Sequence, residues 1–119
     1  MTAAIRGATT VEINHRDAIY EATEEMMKEI IEANGIKTDD IVSVIFTATN
    51  DLDKAYPAVA VRKLGITKAA LMCLQEMYVE GSLRMCIRVM VTVEGDYDRN
   101  NLRHIYLRRA VDLRPDLRR

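Results

Sequence analysis

The sequence predicts an α/β (α+β) domain in which a mixed β-sheet packs with one long and one short helix. Three observations lead there. Apolar residues recur at helical spacing from Ile19 to Ala33. The run IVSVIFTA at residues 41–48 is nearly continuous in apolar and β-branched side chains, the pattern of a buried strand. Residues 85–93 alternate, with Met85, Ile87, Val89, Val91 and Val93 forming one apolar face.

The elements follow in order. Residues 4–12 (AIRGATTVE) are rich in threonine and short apolar residues and predict a first strand. Gly7 inside it predicts a bulge or the close approach of another group. The long helix carries Ile19, Ala22, Met26, Ile30 and Ala33 on one side and most of its charge elsewhere. Asn14, three residues before Asp17, reads as its start signal, and Asn34-Gly35 as its stop. After the strand at 41–48, a short helix fits residues 56–64, with Pro57 in its first turn and Gly65 behind it. Residues 69–74, 85–93 and 103–107 predict three further strands. The last twelve residues read as irregular or weakly helical. The predicted order is thus β-α-β-α-β-β-β.

With 119 residues the chain fits one domain, 1–119, and is long enough to bury roughly two-thirds of its unfolded surface. The hydrophobic fraction of 49% argues against disorder. A net charge of −1 gives no reason to expect a nucleic-acid or membrane partner, although most of the arginine lies in the second half. No apolar run approaches the ~20 residues that span a bilayer. Cys73 and Cys86 sit in apolar surroundings, with no signal peptide and no framework of paired spacings, so a reduced, cytoplasmic protein is expected. His15 and His104 have no cluster of ligands around them, and no metal or other cofactor is expected. The glycine-rich phosphate loops and the GxSxG elbow are absent, and no His and Cys pair forms a convincing nucleophile and base.

Several residues stand out against this background. Arg88 lies mid-strand between Cys86 and Met90, with an apolar face behind it. It reads either as a snorkelling or ion-paired residue at a sheet edge or as a fork facing an anion in a dry pocket. Glu76, among methionines in MCLQEM, needs a partner or ligand if buried, but also fits the surface end of a strand. Cys73 and Glu76 differ by three, so a regular strand puts them on opposite faces, and a shared site needs the strand to bend or end near Leu74. Arg6 stands beside Gly7, whose missing side chain leaves room for backbone or ligand. Arg62 on the short helix and Tyr106 near the end each have an ordinary reading as well.

Taken together, these residues lie in short blocks that share one order. IRGATTV at 5–11, CLQEM at 73–77, CIRVM at 86–90, RHIYL at 103–107 and LRPDL at 113–117 resemble the AroH-type chorismate mutases, from about residue 4 to residue 117. The resemblance implies a homotrimer of pseudo-α/β-barrel character with active sites between adjacent subunits. It implies conversion of chorismate to prephenate in phenylalanine and tyrosine biosynthesis, without a cofactor. It also implies that Arg6, Arg88 and Tyr106 contact the carboxylates and ether oxygen. Glu76 and Cys73 then meet the ring hydroxyl, and Arg62 binds a carboxylate near the mouth. Tyr56, Met72, Leu74, Gln75 and Leu113 complete the substrate-binding set, and residues 112–119 form a flexible tail that closes the site.

The pattern is not matched everywhere. Tyr56 stands where phenylalanine is usual, Val59 where a lysine can sit, and Met72 where a small polar residue is expected beside Cys73. The chain also stops sooner than some relatives, which predicts a shorter lid. Two other functions compete: a trimeric imine deaminase of the Rid type, which leaves the Cys73/Glu76 block unexplained, and a non-catalytic module that senses an aromatic-pathway metabolite.

Overall fold

The computed structural model describes residues 1–113. Among them run β1 (Thr2–Thr10), α1 (Arg16–Asn34), β2 (Ile41–Ala48), α2 (Ala58–Arg62), β3 (Ala70–Gln75), β4 (Cys86–Glu94) and β5 (Ile105–Tyr106), with 3-10 turns at Thr38–Asp40 and Arg108–Asp112. The predicted element order is the observed one. The strands form one sheet in the order β3-β2-β4-β1-β5. β4 pairs antiparallel with both β1 and β2, whereas β2/β3 and β1/β5 are parallel. The sheet is therefore mixed, as expected. Each of the connections β1-α1-β2 and β2-α2-β3 carries the helix that a parallel return needs.

α1 covers one face of the sheet. Ile19, Ala22, Met26, Met27 and Ile30 are buried, packed in one core with Ile5, Val44, Phe46, Ile87, Val89, Val91 and Val93. The alternation of β4 thus aims its odd-numbered residues at the helix. Gly35 ends α1 in the left-handed region at φ 58°, and Ile36 N–H returns to Ile31 O at 3.0 Å, which satisfies a terminal carbonyl.

The start of α1 differs from the expectation. His15, not Asn14, caps it, with Nδ1 accepting from Asp17 N–H at 3.1 Å. Asn14 is drawn away to Asp53, donating to its carboxylate and accepting from its backbone N–H at 2.8 and 3.2 Å.

Gly7 sits in an unbroken register with β4, so it marks no bulge. It admits the helix: a Cβ there would lie 2.7 Å from Ile30 Cδ1 and 3.1 Å from Val89 Cγ1. The room it leaves is therefore taken by a core side chain rather than by a ligand beside Arg6. Gly7→Ala should lower stability by about 1–3 kcal/mol through overpacking. Urea denaturation checks this, and an unchanged midpoint would mean that Ile30 swings aside freely.

The opposite sheet face carries no helix among the described residues. Ile45, Met72, Leu74 and Met90 are exposed there, and Ile45 pairs in register with both Met72 and Met90. Among the described residues no helix is long and apolar enough to cross a membrane. Of the expected tail at 112–119, only Asp112 and Leu113 fall within the described residues.

Candidate active site

Register places the polar residues of the open face. Thr47 pairs with Arg88, Arg88 with Ala8, and Ala8 with Tyr106, so one row crosses four strands. Ala8 is the small member between Arg88 and Tyr106, and its size leaves a hollow. Two residues along each strand, Ile45, Met90 and Arg6 form the next row. The resulting cavity of ≈ 300 Å³ is lined by these residues together with Glu76. Arg6, Glu76, Arg88 and Tyr106, singled out from sequence, thus meet at one place.

Glu76 arrives there because β3 stops just before it. Its N–H still donates to Ala48 O at 2.8 Å, which keeps it in step with the alternation that puts Met72 and Leu74 on the open face. Its Oε1 accepts from the Thr47 hydroxyl and lies 3.4 Å from Arg88 Nε. Arg88 is therefore ion-paired and lines the cavity, but it does so from β4, the central strand of the sheet, and not from an edge. Its side chain is 42% exposed, so the pocket is not dry within one chain. Cys86, two residues earlier on the same strand, is buried. Burial pushes its thiol above the usual value, against the pull of nearby Arg88 and reinforced by Glu76. It is a protonated neighbour, not a nucleophile.

Two fixtures hold the row. Before β4, Asp51 accepts from Met85 N–H on both oxygens, at 3.1 and 3.2 Å, and pairs with Arg84 at 3.3 Å. Thr49 donates its hydroxyl to Asp51 at 2.5 Å and accepts Cys86 N–H at 3.0 Å. This clamp fixes the register at which β4 begins, with Met85 held at φ 54°, and so the position of Arg88. Burial alone would raise the Asp51 carboxyl, but Thr49, the Met85 N–H and Arg84 outweigh it and hold it below the ordinary value.

The sign of the resulting pH dependence follows. The stabilisation is present above the unfolded carboxyl's value of about 4 and is lost as pH falls through and below it. Wild type should therefore lose thermal stability more steeply than Asp51→Asn between about pH 5 and pH 3. Melts at stepped pH test this, and parallel curves for the two proteins would refute it.

At the other edge, β5 is only two residues long where a strand over 103–107 was predicted. Side chains have taken its flanking backbone groups. Asn34 brackets Arg103, accepting from its N–H at 2.7 Å and donating to its carbonyl at 3.0 Å. His104 Nδ1 accepts Arg6 N–H at 2.9 Å. Beyond Tyr106, Leu107 N–H reaches Ala8 O at 2.9 Å, and Arg108 binds Thr10 O and Glu25 at 3.1 and 3.2 Å. Tyr106 is thus pinned from both sides.

The remaining predicted residues lie elsewhere in the chain. Cys73 pairs with Phe46 on the helical side, and Tyr56, Cys73, Leu74 and Gln75 line a second cavity of ≈ 520 Å³ with Tyr20 and residues near Thr49 and Asp53. Met72 is exposed on the open face, Arg62 is exposed at the end of α2, and Leu113 follows the last 3-10 turn. Thr47, Thr49, Asp51 and Arg84 escaped sequence reasoning. The Thr49-Asp51 spacing of a hydroxyl and a carboxylate two residues apart just after a strand is the one local signal of a turn that binds backbone. Among the described residues no three His, Cys, Asp or Glu side chains gather to hold a metal ion.

A mixed sheet bearing a paired arginine and glutamate on the wall of a small cavity, with a second arginine and a tyrosine beside them, has the chemistry to hold a small anionic molecule of uneven charge. The chain belongs to the family described as chorismate mutase type I, which matches residues 2–117. It is 46% identical over 118 residues to the chorismate mutase AroH of Bacillus subtilis (strain 168), covering 98% of this chain and 93% of that protein. It is 45% identical over 118 residues to the chorismate mutase AroH of Thermus thermophilus, covering 98% of this chain and 97% of that protein. A solved chorismate mutase from Clostridium thermocellum superimposes with a TM-score of 0.87 at 52% identity, covering 90% of this chain and 96% of that one.

Proposed function

We propose that this chain converts chorismate to prephenate in the cytoplasm, at sites shared between the subunits of a homotrimer. The observation that carries the reading is the Arg88–Glu76 pair, 3.4 Å apart, on the wall of the cavity that Arg6 and Tyr106 also line. The rearrangement breaks one C–O bond as a C–C bond forms within a single molecule, and no proton moves. Its transition state gathers negative charge on the ether oxygen and positive character on the ring. A fixed guanidinium at the oxygen and a fixed carboxylate at the ring oppose both charges without reorganising. Arg6 and Tyr106 hold carboxylates and keep the substrate in its compact conformer, which is a positioning effect.

The trimer supplies what one chain keeps apart. The cavity of ≈ 300 Å³ is at the lower end of small-ligand sites, about 300–1,000 Å³, and is open to solvent on the sheet face. That face exposes Ile45, Met72, Leu74 and Met90 together, an apolar surface suited to a second copy. On this reading the second cavity, lined by Tyr56, Cys73, Leu74 and Gln75, is the part of the site that one subunit, with its Arg62, Met72 and Leu113, offers to Arg6, Glu76, Arg88 and Tyr106 of the next.

Incubating the protein with chorismate and following loss of its diene absorbance tests the activity, and sedimentation tests the trimer. First-order loss without added metal or cofactor is expected. Binding without turnover, or inertness to chorismate with activity on imino acids, would instead fit the sensor or the deaminase.

A further inference from the structure

Arg88 and Glu76 form an unusual ion pair. A guanidinium and a carboxylate free to choose close into two parallel hydrogen bonds at about 2.7–2.9 Å. Here the closest approach is Nε to Oε1 at 3.4 Å, too long for a hydrogen bond of that kind. Arg88 Nε is buried and has no hydrogen-bond partner among the described residues. Something holds the carboxylate back.

The group in place to do so is Thr47. It stands between the two residues in the sheet: its backbone pairs with Leu74 on one side, two residues before Glu76, and with Arg88 on the other. Its hydroxyl donates to the same Oε1 that faces Arg88. We propose that Thr47 is a positioning residue that keeps the Glu76 carboxylate at a stand-off from Arg88, so that the two charges act on substrate instead of neutralising each other. A carboxylate closed onto the fork would occupy the donors that an anionic ether oxygen or carboxylate needs. A carboxylate with no second anchor would also turn away from the ring. The Thr47 hydroxyl prevents both by fixing one oxygen from the side. The inference rests on the mutase reading of Glu76 and Arg88.

Thr47→Val keeps the β-branched shape that suits a strand and removes only the donor. A hydrogen bond to a charged group is lost, so kcat should fall about tenfold or more, with KM changed far less because the carboxylate-binding groups Arg6 and Tyr106 are untouched. Thr47→Ser, which keeps the hydroxyl, should recover kcat to within about threefold of wild type, since the donor is what counts. Thr47→Ala removes the donor without adding apolar bulk and should match the valine variant. In a Glu76→Ala background, Thr47→Val should have no further effect, because residues that act as one unit are non-additive.

The proposal is overturned if the folded Thr47→Val and Thr47→Ala proteins turn over at the wild-type rate. It is overturned equally if serine fails to rescue, or if the loss persists undiminished without Glu76. A Glu76→Ala protein with unchanged kcat fails the catalytic role given to Glu76, a different result from a normal Thr47→Val protein beside an impaired Glu76→Ala.

Discussion

Arg88→Ala is expected to lower kcat by about 10²–10³-fold, the loss that follows removal of one preorganised donor from a developing oxyanion, roughly 3–4 kcal/mol. The side chain projects from the middle of β4 with the small Ala8 beside it on β1, and the other guanidinium of the cavity, Arg6, stands one row away. Arg88→Lys recovers only part of the loss, because an ammonium keeps the charge but not the planar fork. Stability changes little in comparison. The Arg88–Glu76 pair is 42% and 23% exposed, and pairs open to solvent contribute about 0–1 kcal/mol. Steady-state kinetics with circular dichroism and sedimentation on the same samples check the prediction. Near-wild-type turnover in a folded Arg88→Ala protein that sediments like wild type would falsify the electrostatic assignment.

Glu76→Gln gives the second large effect, with a different signature. The amide keeps the shape and can still accept from Thr47, so what disappears is the charge. A carboxylate that opposes positive character on the ring acts in the transition state, and its loss should cost about 10²-fold in kcat. In the ground state the same carboxylate repels a dianionic substrate and draws on Arg88. Removing it should leave KM unchanged or lower it, the pattern of a group whose benefit is confined to the transition state. A rise in KM with kcat preserved would make Glu76 an ordinary binding residue.

These two residues were legible in sequence because each breaks a local pattern. Arg88 interrupts an apolar strand, and Glu76 sits among methionines. Thr47 breaks nothing: threonine is a normal strand residue, and its role appears only when β2 lies between β3 and β4. The Asp51 clamp is hidden for a related reason, since its partners Arg84, Met85 and Cys86 are more than thirty residues away. The start of α1 shows the same limit. Asn14 and His15 are both able to cap, and the choice fell to His15 because distant Asp53 engages Asn14.

Sequence alone determined the mixed α/β class, the element order, the helix-facing side of β4 and the identity of the arginines, because periodicity and residue chemistry are local properties. Tertiary structure decided which of those residues meet. Strand alternation and register align Thr47, Arg88, Ala8 and Tyr106 in one row and bring Glu76 to it, while the same alternation turns Cys73 to the other side of the sheet. It also decided that β5 is two residues long, because Asn34 and His104 compete for the backbone groups a longer strand would use. Hydrogen bonds between distant segments set both outcomes, and no window of neighbouring residues contains them.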